Sequence, residues 1–225
     1  MTVGAGARTL ELDGRGEAAD LAAFLARLIH YDRAAAVRLQ AEGEALAVFG
    51  RPPSFEVLAV RTARLAAPAR FDVTVSAGAL LEGIEEATGA LAVPEPVTGP
   101  PWAGMLPPRG GWQQAEGVPD AVAMRGVVSA AVAEFRSRDE ELPPEERTRE
   151  ARDRIGRDIW SRTLGGTELP LRAVHAAHSL GFLRPGVPVA LLSAGGWLRL
   201  RTPYGSVTLR RAASGGLGTL SVGPA

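Results

Sequence analysis

The chain has 225 residues, enough for one large domain or two small ones, and with 46% apolar against 22% charged residues it can bury a core. Cysteine, lysine and asparagine are absent, which excludes disulfides, thiolate nucleophiles, iron–sulfur clusters, thiolate zinc sites, Schiff-base lysines and the phosphate-loop lysine. Formal charge is zero but divided: residues 1–144 carry 13 arginines and 19 acids (−6), residues 145–225 carry 12 and 6 (+6), a pattern that fits either internal complementarity or a basic face for an anionic partner.

In chain order, the first residues contain no apolar stretch of signal-peptide length, and no segment approaches the roughly 18 apolar residues of a membrane span. A cytoplasmic protein without membrane attachment is expected. Residues 8–12 read as a short strand. Leu21, Phe24, Leu25 and Leu28 then recur at helical spacing and predict a helix of about four turns from Glu17. Residues 37–41 and 45–49 alternate around Glu42-Gly43-Glu44, a hairpin pattern. Beyond Pro52-Pro53, residues 55–65 predict a third strand and 71–75 a fourth, followed by a short helix over 77–87 with Leu80, Leu81 and Ile84 inward.

Residues 90–119 hold seven prolines, which exclude a continuous helix or a central strand. Trp102, Met105, Leu106 and Trp112 make this segment an ordered loop that lies across the body and buries its tryptophans; its length also suits a binding segment or lid. Asp120 is placed to cap a helix reaching Arg138, with Met124, Val127, Val128, Ala131 and Phe135 on one stripe. A second helix is expected from Glu145, with Ile155 and Ile159 buried and the pairs Glu145/Arg149, Glu150/Arg154, Asp153/Arg157 and Asp158/Arg162 on its surface. Gly165-Gly166 would stop it. Thr167 then caps a helix with Pro170 in its first turn. Strands over 189–193, 197–201 and 206–211 form a meander with turns at 194–196 and 203–206, and a last strand is read at 219–222.

Two stretches repeat one another. Residues 17–60 and 169–211 align at a spacing of 152 positions, matching Leu28 with Leu180, Val37 with Val189, Leu39 with Leu191, Gly43 with Gly195 and Leu46 with Leu198. After a two-residue deletion Val57 matches Val207. The expected fold is α+β: antiparallel sheets built from two pseudo-repeated helix-plus-β-meander units, with an inserted Pro-rich loop and helical pair. The divisions are residues 1–89, 90–166 and 167–225, within one body. The order strand, helix, three-stranded meander, strand, short helix over residues 8–88 resembles half of a DNA sliding-clamp domain. The resemblance is topological and implies no site residue.

Chemistry-bearing groups are sparse. His175 and His178 stand three apart on a predicted helix and His30 ends the equivalent helix of the first unit. A metal needs three or four ligands and that helix face offers no carboxylate, so no metal site and no cofactor is expected. Glu82, Glu85 and Glu86 read as the polar face of a short helix, and the Gly-Gly pairs at 110–111, 165–166 and 195–196 as turns and caps. No G-x-S-x-G occurs, and no G-x-G-x-x-G follows a strand. The feature with partner-binding character is the C-terminal meander. Alternation sends Leu198 and Leu200 to the core and Trp197, Arg199 and Arg201 to the other face, joined by Thr208 and Arg210, with Tyr204 in the turn. Aromatic and arginine side chains on a ribbon suit an acidic protein surface or phosphate, and none of the arginines is expected to be buried. With the helix before it, the segment also looks like the last helix and wing of a winged helix-turn-helix domain. The expected function is that of a non-catalytic interaction or scaffold protein with a protein partner. The alternatives are a DNA-binding protein and an enzyme whose site the sequence does not display.

Overall fold

Apolar spacing and capping account for the elements of the computed structural model, which describes residues 8–53, 55–102 and 104–211. In chain order these are β1 (Arg8–Glu11), α1 (Arg15–Tyr31), β2 (Ala36–Gly50), β3 (Leu58–Ser76), α2 (Ala77–Glu82), β4 (Ile84–Glu85), β5 (Ala90–Val93), β6 (Gln113–Ala115), α3 (Ala121–Glu140), α4 (Arg149–Ser161), α5 (Leu171–Ser179), β7 (Ala190–Ala194), β8 (Trp197–Thr202) and β9 (Gly205–Arg210). The strand read at 219–222 lies outside the described residues.

The architecture is α+β, with antiparallel sheets and two helix-plus-strand units. The segment 90–119, read as a loop, is not all loop: it supplies β5, which pairs with β1 of the first unit, and β6, which pairs with β7 at the edge of the large sheet, before the α3–α4 pair. One sheet has the order β2-β3-β9-β8-β7-β6, the other β1-β5-β4. The units share the larger sheet: Leu58 pairs with Thr208, Ala59 with Val207 and Val60 with Ser206. α1 and α5 cover the same core, in which Phe24 stacks on Phe182 with ring centroids 5.7 Å apart. The pseudo-repeat is visible in burial. Leu28 and Leu180, Leu39 and Leu191, Leu46 and Leu198, and Val57 and Val207 are all buried, and Gly43 and Gly195 both adopt positive φ.

Those two glycines do different work. Gly195 sits between β7 and β8 in a reversal, as expected. Gly43 does not reverse the chain: β2 continues through Glu42-Gly43-Glu44, and the two strands read at 55–65 and 71–75 are one strand, β3. The β2–β3 ladder passes from Gly43↔Ala69 to Ala45↔Arg64, so the residues around Pro68 bulge out of register. Proline donates nothing to a ladder and a positive-φ glycine accommodates a bend, so the ribbon kinks where the sequence reads as a turn.

The helical pair follows the sequence with shifts at its caps. The Asp120 carboxylate accepts from the Ala123 N–H at 2.8 Å, and Met124, Val128 and Ala131 are buried while Val127 is exposed. Pro144–Glu146 forms only a 3-10 turn; α4 starts four residues later than expected, capped by Thr148, whose hydroxyl accepts from the Ala151 N–H. Of the four expected pairs, Asp158/Arg162 forms at 3.1 Å. Arg162 also reaches across to both oxygens of Glu134 on α3 at 2.7 and 2.8 Å. α4 ends at Ser161, before the glycines. Thr167 does not cap α5: its hydroxyl donates to the Leu164 carbonyl and accepts from the Leu169 N–H, closing a local turn, and Pro170 precedes the helix. α2 stops at Glu82 because Ile84 and Glu85 pair with Leu91 and Ala90.

One polar cluster ties the units. Arg61, on β3, is buried; its guanidinium meets Glu17 at 3.0 Å, Asp20 at 3.5 Å and the Pro203 carbonyl in the β8–β9 turn at 3.1 Å. Arg184 adds a 2.8 Å hydrogen bond to Asp20 and lies 3.6 Å from the centre of the Tyr204 ring.

Candidate functional site

The helix-free face of the sheet carries a second apolar cluster, in which Trp102 packs on Phe49, Leu58 and Val60. Met105 and Leu106 of the Pro-rich segment pack against the same cluster. Val97 donates its N–H to the Thr74 carbonyl, and the Trp102 indole donates to the Thr74 hydroxyl at 3.0 Å. Trp102 is buried, Trp112 half-buried.

Alternation on β8 and β9 sends Trp197, Arg199 and Arg201 to this face, while Leu198, Leu200, Val207 and Leu209 enter the core. Trp197 and Arg210 are cross-strand partners, and the guanidinium lies 4.7 Å from the indole centre. Arg210 also donates to the Gly104 carbonyl at 3.0 Å, so the loop borders this pair without capping it. Arg199 is half-buried rather than free: its Nε donates to the Ser206 hydroxyl at 3.0 Å and its guanidinium sits 5.8 Å from the Trp112 ring centre. Burial, and then the Arg201 charge, lowers its pKa from the ordinary guanidinium value. Arg201 is exposed. Tyr204 is not brought to this group. The turn carries it to the core side, where it packs beneath Arg184. Thr208 is buried, its hydroxyl donating to the Leu58 carbonyl at 3.2 Å.

Beside Trp197 opens a pocket of about 410 Å³ that the sequence did not reveal. Arg51, Arg172 and Arg210 converge on it with Met105 and Trp197, and Glu56 is its one carboxylate among the described residues. Glu56 is held at φ 52°, the left-handed region that non-glycine residues seldom occupy, and its carboxylate lies 3.6 Å from Arg172. The pocket joins segments around residues 51, 105, 172 and 210, a convergence that only the tertiary fold creates. Much of the charge asymmetry is settled internally: Arg152, Arg162, Arg172 and Arg184 of the basic half pair with Asp139, Glu134, Glu56 and Asp20 of the acidic half.

His175 and His178 lie on α5; burial, then the His178 charge, lowers the His175 pKa, and burial, then Arg125, lowers that of His178. His30 joins Tyr31, Phe55, His175 and Trp160 in a run of ring contacts. Among the described residues no cluster of three or more His, Asp or Glu is placed to hold a metal ion, and no helix is long and apolar enough to cross a membrane. α5 is buried or half-buried along its whole length, beneath α3 and α4 and against the sheet. The helix that a winged-helix reading would send into a DNA groove is therefore packed between other elements, with only Arg172, His175, His178 and Ser179 partly exposed.

Residues 5–104 match a family described as a domain of unknown function, DUF8010, and residues 107–214 match another, DUF8185. No curated protein matches the chain. Among solved structures, two crystal structures of a DNA polymerase sliding clamp from Pseudomonas aeruginosa, one with ligand, are similar at 13% identity, with TM-scores of 0.47 and 0.46. The aligned regions cover 96% and 97% of this chain and 68% of the clamp chains. At that identity the likeness concerns fold outline alone.

Proposed function

We propose that this is a non-catalytic interaction protein that docks an acidic segment of a partner protein on the outer face of the C-terminal meander, at Trp197 and Arg210. The observation that carries this reading is the pocket in which three arginines meet one glutamate beside the half-buried Trp197 indole. Guanidinium groups bind carboxylates through paired, charge-assisted hydrogen bonds, and tryptophan with arginine is the composition of interface hot spots. Exposed Arg201 extends the surface along β8. Arg199, on the same face, is already committed to Ser206 and Trp112.

The test is a selection of displayed random peptides on the intact chain, followed by titration of the enriched peptides. Enrichment of Asp/Glu-rich sequences with an apolar anchor is expected, with affinity falling more than about tenfold for Trp197→Ala and less for Arg201→Ala. Selected peptides that lack acids, or that bind Trp197→Ala and Arg210→Ala as well as the parent, would refute the reading. A labelled DNA duplex run in parallel separates the alternative. Tight duplex binding with a steep salt dependence, lost with Arg201 and Arg210, would place nucleic acid on this face instead.

A further inference from the structure

Next to the Trp197 pocket, and sharing only Arg172 and Glu56 with it, lies a larger cavity of about 740 Å³ between α4, α5 and the segment at Phe55. Its walls are aromatic. The Trp160 and His175 rings stack at 4.4 Å and 24°, Phe55 meets His175 edge-on at 5.1 Å, and Phe135 lines the α3 side. Gly156 lies mid-helix on the same lining. A Cβ there would meet Trp160 and Phe135 atoms at 3.6 and 3.7 Å, ordinary contact distances. Packing therefore does not require glycine, although a glycine inside a helix costs about 1 kcal/mol relative to alanine. What its missing side chain does is keep the cavity floor open.

The rim is cationic, formed by Arg152, Arg157 and Arg172. Arg152 is committed to Asp139 at 2.8 Å. Arg157 is exposed and has no ion-pair partner among the described residues, while the buried Nε of Arg172 makes no hydrogen bond and stands 3.6 Å from Glu56. Asp153 and Glu56 are the carboxylates facing the space. We infer that this cavity binds a small planar aromatic anion, its ring against Trp160 and its carboxylate on Arg157 and Arg172. The volume lies within the roughly 300–1,000 Å³ of ligand pockets, which are mostly apolar with a few placed polar groups. The inference does not depend on the acidic-segment reading.

Calorimetric titration with 2-naphthoate tests it, with neutral 2-acetylnaphthalene as the uncharged comparison. One naphthoate per chain is expected, bound at least about tenfold tighter than the neutral compound because a guanidinium–carboxylate contact is lost in the latter. Gly156→Leu, which fills the floor, should weaken naphthoate by more than tenfold. Arg157→Gln, at an exposed position that leaves the fold intact, should weaken naphthoate and leave the neutral compound unchanged. Trp197→Ala should change neither. The inference is overturned by absence of naphthoate binding to the parent chain at millimolar concentration, by equal affinity for the two compounds, by naphthoate affinity unchanged in Arg157→Gln, or by its loss in Trp197→Ala.

Discussion

Replacing Arg61 by alanine should cost this protein about 2–3 kcal/mol, because the guanidinium is the shared partner of groups from both units. Its side chain is 5% exposed and contacts Glu17, Asp20 and the Pro203 carbonyl. Removing one partner of a fully buried ion pair costs roughly 3–5 kcal/mol, since the remaining charge stays desolvated. Here the full figure is not reached. Glu17 and Asp20 are 30% and 27% exposed, so water reaches them, and Arg184 still holds Asp20. The Pro203 carbonyl loses its donor and a cavity opens in place of the side chain. For a chain of this size about 2–4 °C is lost per kcal/mol, so Tm should fall by roughly 5–10 °C. Urea unfolding of the parent, Arg61→Ala and Arg61→Met, followed by far-ultraviolet circular dichroism, measures this and separates charge from volume. Arg61→Met restores bulk without charge and should recover less than half of the loss. A drop below about 1 kcal/mol for Arg61→Ala, or full recovery with methionine, would refute the argument that a shared charge joins the units.

Gly205→Ala should destabilise by about 2 kcal/mol or more, because φ is 150° and a Cβ would lie 2.5 Å from the Phe182 ring; adding Phe182→Leu should return part of the loss in thermal unfolding, and no recovery would argue that backbone strain alone is responsible. His175 and His178 have pKa values lowered by burial, so the unfolded chain takes up protons first and stability should decline as pH falls below about 6.5. His175→Phe, which keeps the ring against Trp160, should flatten Tm between pH 7 and 5; an unchanged slope would refute the assignment. Hydrogen bonds from Arg38 hold the Asp72 carboxylate below its usual range, so its contribution is present at neutral pH and is lost as pH falls through the lowered pKa. Asp72 is 45% exposed, so Asp72→Asn should cost less than about 1 kcal/mol at pH 7 and nothing in strong acid, by urea midpoints at the two pH values.

Apart from the repeat at 152 positions, which pointed to two similar units, what could be read from the residues was local. Alternation alone placed Leu198 and Leu200 inward and Trp197 and Arg199 outward, and a carboxylate before an apolar stripe marked Asp120 as a cap. The errors arose where one residue pattern serves two geometries. Gly43 between two glutamates suits a hairpin turn and a bulge equally, and only its pairing opposite Ala69 decides between them. Thr148 and Glu145 both suit a helix start, and the hydroxyl that reaches the Ala151 N–H prevails. Long-range events left no local mark. Arg61 looks like any strand arginine until Glu17 and Asp20, more than forty residues earlier, fold over it. The aromatic cavity draws on Phe55, Phe135, Trp160 and His175 from four separate segments. Its one sequence signal was Gly156, a glycine within a charged helix that no turn requires.

The three rungs joining β3 to β9 have a consequence for how the molecule can be divided. A cut between the two family matches, near residue 105, would sever one peptide bond and leave the ladder Leu58–Thr208, Ala59–Val207 and Val60–Ser206 with its halves on different chains. Each fragment would then expose a bare strand edge and the apolar faces around Phe24 or Phe182, the conditions under which isolated sheets aggregate. Produced together, the same edges are complementary and Arg61 meets its Pro203 carbonyl across the break. The two pieces should behave as a split protein: insoluble singly, and reconstituted by mixing into a noncovalent heterodimer whose stability depends on concentration.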